Sequence, residues 1–491
     1  MNFLALICLL GCMACGSEDN TPQAHPDNNN TATDVKMLIT TSDKGYDLTE
    51  KYIDFSKKDP MSPSTIRLEP TERYQTIDGF GAAVTLATAY NMSLMPEDKR
   101  KAFIYDTFSP EKYGFSYVRV AIGCSDFSFG EYSCCDTPGI ENFALTPDDT
   151  QYVIPILKQI LAVNPDLKIL ASPWSCPKWM KVKDLKNPMP YDSWTGGQLN
   201  PKYYQDYAQY FVKWIKAFNA SGVNIYSITP QNEPLNRGNS ASLFMGWEEE
   251  RDFIKTALGP SLKAAGLEAV KIYAFDHNYN YDNIASQAQY PLKIYEDAEA
   301  AAYFAGAAYH NYGGNKSELL NIHNARPDKE LIFSEASIGE WNDGRNLKVS
   351  LLRDMEELGL GTINNWCKAS ILWNLMLDTD RGPHGSEGAC TTCYGAVDIE
   401  NDTYSHITRN SHYYVMAHMA SVVKPGATRI KANGFNRDGL TYAAFENTDG
   451  TYALVLSNNK TESLNLTIND GKHNFNYTIP GHAVVSYRWN K

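Results

Sequence analysis

The apolar run that opens the chain, Met1 to Cys15, is too short to cross a bilayer as a helix, which takes roughly 20 residues. It also lacks the basic residues that usually open an export signal. Basic charge is scarce throughout: 44 Lys and Arg face 57 Asp and Glu, a formal charge of −13, which excludes a protein that tracks nucleic-acid phosphates. Cysteine is sparse as well. Beyond the first 15 residues there remain Cys124, Cys134, Cys135, Cys176, Cys367, Cys390 and Cys393, an odd number that leaves at least one thiol unpaired within a monomer. Cys390-x-x-Cys393 has the spacing of a zinc half-site, but no second Cys/His pair matches it. A local disulfide or two buried thiols is therefore expected there, and neither metal nor cofactor.

What stands at the start resembles a bacterial lipoprotein signal. Leu9-Leu10-Gly11-Cys12 and Met13-Ala14-Cys15 both fit the cleavage box, and Gly16-Ser17-Glu18-Asp19 is similar to the acidic tag of surface-exported lipoproteins of some Gram-negative bacteria. That similarity implies an exported, outer-membrane surface lipoprotein anchored through Cys15, or failing that Cys12. Residues 16–34, rich in Asn, Thr, Asp and Pro, cannot bury enough apolar area to order themselves and read as a tether.

The informative stretch is Thr229-Pro230-Gln231-Asn232-Glu233-Pro234, which follows the strand-like Ile225-Tyr226-Ser227-Ile228. Pro234 neither donates to a ladder nor continues one, so Glu233 falls at a strand's carboxyl end. Alone, Asn-Glu-Pro would serve equally well as the cap of a following helix. A second carboxylate decides: Glu330 to Ser334 is another apolar strand, ending in Glu335. Between them lie strand candidates at 271–275 and 305–309, which makes the two glutamates the ends of strands four and seven of a parallel barrel. Two carboxyls over one barrel mouth are the requirement of glycosidic cleavage, one to protonate the leaving oxygen and one to attack or to activate water.

Other strand candidates complete the pattern at 77–81, 117–123, 168–174 and 369–374, and Pro201 to Phe218 reads as an outer amphipathic helix. The expected fold is thus α/β, a (β/α)8 TIM barrel over 71–424. After 425 short β-runs alternate with turns such as Asp449-Gly450 and Asp470-Gly471, and Val35–Thr40 and Thr65–Leu68 need a sheet to pair with. A small β-sandwich built from both chain ends, 35–70 and 425–491, satisfies both.

These motifs resemble glycoside hydrolase family 30, the glucosylceramidase-like group of retaining β-glycosidases. The residues that carry the likeness are Asp78-Gly79-Phe80-Gly81, Arg119 with Ser125-Asp126-Phe127-Ser128, Ser172-Pro173-Trp174-Ser175, Asn232-Glu233-Pro234, His310-Asn311-Tyr312, Ser334-Glu335 and Trp373-Asn374. The resemblance implies Glu233 as acid/base, Glu335 as nucleophile, Asn232 on the sugar 2-hydroxyl, and Asp126, Trp174 and Trp373 as the inner sugar pocket. It sets His310 and Tyr312 around the nucleophile, and Arg119 beside a carboxylate whose ionisation it fixes. Taken without the family pattern, the two tryptophans read as core rings, His310 as an interior histidine and Arg119 as a structural ion pair.

Gln231 in its motif, Asp276 to Tyr281 and the Cys390/Cys393 loop are most similar to the endo-β-1,6-glucanase branch. Val84-Thr85-Leu86 departs from glucosylceramidases, many of which carry an acid after the threonine. The expected partner is a β-glucan, with Tyr279 and Tyr281 either walling the mouth or packing within their loop, and the two catalytic carboxyls about 5–5.5 Å apart. Other family activities, glucosylceramidase or β-xylosidase/xylanase, and a non-catalytic surface glycan-binding lipoprotein are the alternatives.

Overall fold

The computed structural model describes residues 34–56, 62–385 and 388–491. The expected signal with Cys12 and Cys15, and nearly all of the expected tether, lie outside these residues.

Eight parallel strands form the barrel: Gly79–Ala83, Tyr117–Ala121, Lys168–Ser172, Ser227–Ile228, Lys271–Asn278, Phe304–His310, Glu330–Glu335 and Cys367–Asn374. Hydrogen bonds from Ser116 N to Phe80 O and from Val84 N to Arg119 O, both 2.9 Å, close strand one onto strand two. The glycine of strand one is what permits this approach, because a Cβ on Gly81 would lie 2.2 Å from the Tyr117 carbonyl oxygen. Strand alternation then sorts the side chains. Val118 and Val120 face the surrounding helices, while Tyr117 faces inward with Leu170, Tyr273, Ala308, Ile332, Ala369 and Ile371. The barrel is filled rather than hollow, and Arg119, of the same parity as Tyr117, sits above that packing with no exposed surface.

The glutamates do end strands four and seven, although strand four pairs over only Ser227–Ile228 and Glu233 lies in the loop beyond it. Outside, Tyr204–Ala220 buries Tyr207, Phe211, Trp214 and Ile215, the expected apolar face.

Both chain ends meet in one nine-stranded ladder. Thr49–Ile53 and Val35–Thr41 form one edge and continue through Ala483–Asn490, Thr451–Asn458, Leu440–Glu446 and Thr428–Gly434. Thr65–Thr76 is inserted next, before Leu464–Asn469 and Asn474–Ile479. One face closes on itself as a core containing Leu454, Leu456, Val485 and Tyr487, with Val35 and Ile66 from the amino-terminal strands. Their neighbours of opposite parity, Ala453, Val455 and Val484, belong instead to the barrel's core. The helix Ser411–Val422 mediates: His418 lies 2.9 Å from both Ser486 Oγ and Thr40 Oγ1, one ring nitrogen to each end of the chain. Each buried Val at this seam contributes about 1.5–3 kcal/mol, which holds the sandwich to the barrel.

Candidate active site

At the barrel's carboxyl-terminal end the arrangement is built on Arg119 and Asp276. Arg119 Nη2 donates to Asp276 Oδ2 and to Asn232 Oδ1, each at 2.7 Å, Nη1 donates to Glu335 Oε2, and Nε reaches Ser172 Oγ at 3.2 Å. Asp276 is satisfied on both oxygens. Thr229 and Ser172 hydroxyls donate to Oδ2 at 2.7 and 3.1 Å, and the Ser334 hydroxyl to Oδ1 at 2.6 Å. The Arg119 guanidinium also lies 4.9 and 5.5 Å from the Trp174 and Trp373 rings. A cation buried this deeply is tolerated because carboxylates, an amide and aromatic faces replace its water.

Glu233 and Glu335 face one another across His310. The nearest of their carboxylate oxygens and a His310 ring nitrogen all lie within 4.8 Å of one another. His310 Nδ1 is 3.3 Å from Glu233 Oε1 and 3.9 Å from Glu335 Oε1, while Nε2 is 3.0 Å from Asp276 Oδ1. The Tyr312 hydroxyl donates to Glu335 Oε1 at 2.9 Å, and Asn236 and Asn239 donate to Glu233 Oε2 at 2.7 and 3.2 Å.

The backbone here is strained. Glu233, Phe275 and Asp276 have φ of 47°, 74° and 60°, and Glu233 N donates to Asp276 O at 3.0 Å, so each strained segment holds the other. Strand five also slips register against strand six between Phe275 and His277. That bulge aims two successive residues at the site, Asp276 under Arg119 and His277 into the pocket wall.

Burial would raise every carboxyl here, and the partners decide which resist. Against that burial, Glu233 is held down at about 2 by the His310 contact, by His277 beside it, by the His310 charge and by Asn236. Glu335 moves the other way. Burial raises it, and repulsion from Glu233 and Asp276 opposes the relief that His310 and Arg119 give. Asp126, half-buried in the cavity lining, is pushed up to about 8 by desolvation and by the Glu335 and Glu233 charges. His310 is raised to about 9 despite its burial, because Glu335, Asp276 and Glu233 all favour the imidazolium. His277 is lowered, chiefly by burial. Its Nδ1 accepts from Leu235 N at 3.4 Å, which leaves the proton on Nε2, 3.3 Å from Asp282.

Above these groups opens a cavity of about 440 Å³. Trp174 and Trp373, stacked with centroids 5.1 Å apart, line it together with Asp126. Asn236, Asn239, Asn278, Asp282, Trp341 and the Cys390–Cys393 disulfide line it as well. Trp341 is 54% exposed, a large apolar ring left in solvent at the rim. Its loop is braced by pairing of Gly339 with Cys393 and by a 3.0 Å bond from Glu340 N to Thr392 O, within the span the disulfide closes.

Residues 77–423 match the glycosyl hydrolase family 30 TIM-barrel domain, and 426–487 match that family's β-sandwich domain. The chain belongs to glycosyl hydrolase family 30. A solved structure described as the endo-β1,6-glucanase BT3312 superposes with a TM-score of 0.91 at 63% identity, covering 93% of this chain and 99% of that one. Endo-1,6-β-D-glucanase BGN16.3 of Trichoderma harzianum is 32% identical over 404 residues, 78% of each chain. Putative glucosylceramidase 4 of Caenorhabditis elegans is 32% identical over 468 residues, 90% of this chain and 86% of that protein. The family is one of β-glycoside hydrolases, so the protein is a glycosidase.

For a family 30 enzyme the sequence motifs converge well. Arg119, Asp126, Trp174, Asn232, Glu233, His310, Tyr312, Glu335 and Trp373 all lie in or directly beneath this one cavity. Tyr279 and Tyr281 do not wall its mouth. Both are buried, Tyr279 stacked on Tyr309 at 5.6 Å and Tyr281 bonded through its hydroxyl to Tyr309 and Glu318 at 2.9 Å. Their loop turns through left-handed φ at Tyr281, Asp282 and Asn283, which folds the rings back beneath it. Besides Trp174, Trp373 and Tyr312, the lining includes the exposed ring of Trp341, which no spacing in the sequence marked. Asp276 and His277 were missed as well; the signal was a polar Asp-His pair ending an apolar strand, as the glutamates do. Glu233, His310 and Glu335 have the spacing of a metal site, but both His310 nitrogens face carboxylates and Arg119 occupies Glu335, a donor set suited to moving a proton.

Proposed function

We propose that the protein is a retaining endo-β-1,6-glucanase. The mechanism rests on the closeness of Glu233 and Glu335, whose facing oxygens lie within 4.8 Å. An inverting enzyme separates its carboxyls by about 6.5–9.5 Å to admit a water, and facing oxygens this close support the shorter, retaining separation. In the first step a Glu335 oxygen bonds to the anomeric carbon as the glycosidic C–O bond breaks, and Glu233 delivers a proton to the leaving oxygen. Water then attacks the anomeric carbon, Glu233 takes its proton, and the Glu335 ester bond breaks. At rest Glu233 is held ionised and His310 cationic, so the proton for the first step sits on His310. It passes to Glu233 Oε1 across the 3.3 Å contact as the leaving oxygen becomes basic. Arg119 and the Tyr312 hydroxyl donate to Glu335 and favour its anion against the burial that raises it. Arg119 also fixes the Asn232 amide, so that Nδ2 is the end presented to the sugar.

The linkage reading is supported by the 63% identity to an endo-β1,6-glucanase over nearly the whole chain, and by Leu86, where many glucosylceramidases carry an acid. The test is a digest of linear β-1,6-glucan. Short oligosaccharides should appear early, with the β-configuration retained in the first product. Glucose as the sole early product, or faster cleavage of glucosylceramide, would defeat the endo-glucanase reading, and an α-product would defeat the retaining one. A surface-lipoprotein address through Cys15 is part of the same proposal. Release of a Cys15→Ser variant from membranes supports it, and continued attachment with Cys12 intact moves the anchor to Cys12.

A further inference from the structure

The excursion after barrel strand three carries three short strands, Lys181–Asp184, Asn187–Pro190 and Gln198–Leu199, paired as one small sheet. It helps enclose a second depression of about 550 Å³, comparable in size to the catalytic cavity. Trp179, Tyr191 and Trp194 line it with Glu131, Asp136 and Asp192. The rings are half-buried and held in place. Trp179 Nε1 donates to Cys135 O at 2.8 Å, and Trp194 packs on the small core that contains Trp174 and Trp373. At the mouth Lys178 pairs with Asp192 at 2.7 Å.

One segment separates this depression from the catalytic cavity. Asn236 and Asn239 donate to Glu233, which marks the segment as lying on the acid/base side. The next residues back the depression's lining: Ser240 Oγ donates to Glu131, and Ser242 N donates to Trp194 O at 2.9 Å. A polymer cleaved at Glu233 continues past its leaving oxygen on this side. There it meets indole and phenol faces for sugar C–H surfaces and carboxylates for hydroxyls, the mixture that carbohydrate sites require.

We propose that the depression is a second glucan-binding site, which holds the β-glucan chain beyond the acid/base side of the catalytic cavity. The proposal rests on the substrate reading above. It is tested by comparing wild type and Trp194→Ala on linear β-1,6-glucan, a β-1,6-linked trimer and an aryl β-glucoside. The expected result is a KM for the polymer raised about fivefold to twentyfold, with trimer and aryl glucoside kinetics unchanged. A wild-type KM for the polymer overturns it. Should Trp194→Ala also lose aryl glucoside turnover, Tyr191→Ala in the outer hairpin decides on the same three substrates by the same criteria. A wild type inert on both β-1,6 substrates defeats the substrate reading and this proposal with it. A wild type active on both, with variants unaltered on the polymer, defeats this proposal alone.

Discussion

At the amino-terminal ends of the barrel strands Asp78, Lys168, Lys271, Glu330 and Lys368 meet in a closed set of ion pairs. Lys168 reaches Asp78 at 2.6 Å, and Lys271 and Lys368 reach Glu330 at 2.8 and 2.6 Å. Tyr273, the ring of the layer above, also donates to Glu330 at 2.7 Å. Three cations serve two carboxylates, and Glu330, though burial would raise it, is drawn down to about 2 by Lys271, Lys368 and Tyr273. The carboxyl-terminal ends carry the opposite imbalance: Asp126, Glu233, Asp276 and Glu335 share Arg119 and His310. Asp276 and Glu233 there are held low by their partners, while Glu335 and Asp126 are raised. The difference separates stability from function: one end pairs each of its carboxylates, with a cation to spare, to close the barrel, while the other keeps a surplus of carboxyls whose protons can move.

The sharpest break of that comparison is Glu335→Ala. Turnover of an aryl β-glucoside should fall by about 10⁴-fold or more, because no nucleophile remains, while the melting temperature holds or rises as a raised carboxylate is removed. Glu233→Ala should keep part of its rate on aryl glucosides whose leaving group needs no proton. A melting temperature lowered by Glu335→Ala would mean that the upper cluster also holds the fold.

Glu330→Gln should do the reverse. It leaves Lys271 and Lys368 without their carboxylate, and costs about 2–3 kcal/mol in denaturant unfolding, toward the lower end for a pair that is partly exposed. The turnover number per folded molecule should stay at the wild-type value, and a matching loss of turnover would show the two ends to be coupled.

The two ends should also answer pH in opposite directions. Glu330 is lowered from 4.5 to about 2, so its stabilisation is present above pH 4.5 and is lost as pH falls toward 2. His310 is raised from 6.5 to about 9, so its contribution is complete below 6.5 and disappears as pH rises through about 9. Profiles of kcat/KM should therefore show an alkaline limb near 9 with the circular dichroism spectrum unchanged, and Glu330→Gln should leave that limb in place. Unfolding coincident with the alkaline limb would remove His310 as its origin.

The smaller effects lie at the rim. Trp341→Ala should raise the KM for β-1,6-glucan about tenfold and leave aryl glucoside turnover intact, since the ring is exposed and touches only the approach to the cavity. Tyr281→Phe, which removes a hydroxyl bonded to Tyr309 and Glu318, should cost about 1 kcal/mol of stability and leave every KM alone. A KM change there would restore Tyr281 to the mouth.

Local pattern made much of this molecule legible. Apolar runs that stop at a glutamate gave strands four and seven, and parity along Tyr117–Ala121 turns Arg119 inward whatever surrounds it. Of the strands that escaped notice, Leu464–Asn469 carries that contrast in Leu464, Leu466 and Ile468, whereas Thr49–Ile53 and Thr428–Gly434 lack it. Thr49–Ile53 is a charged edge strand with no residue fully buried, and Thr428–Gly434 buries only Ile430. Their pairing comes from neighbours, and periodicity records burial only.

By itself, then, the sequence determined the strand order and the two catalytic candidates, because each is set by alternation and by a terminator within a few residues; the residues beneath them were marked by the family resemblance. Tertiary structure alone decided three things: that Asp276 is the counter-charge of Arg119, that Tyr279 and Tyr281 lie inside, and that Trp341 stands at the rim. Each depends on left-handed turns, a bulge or a braced loop whose partners lie tens to hundreds of residues away, where chain order carries no distance information.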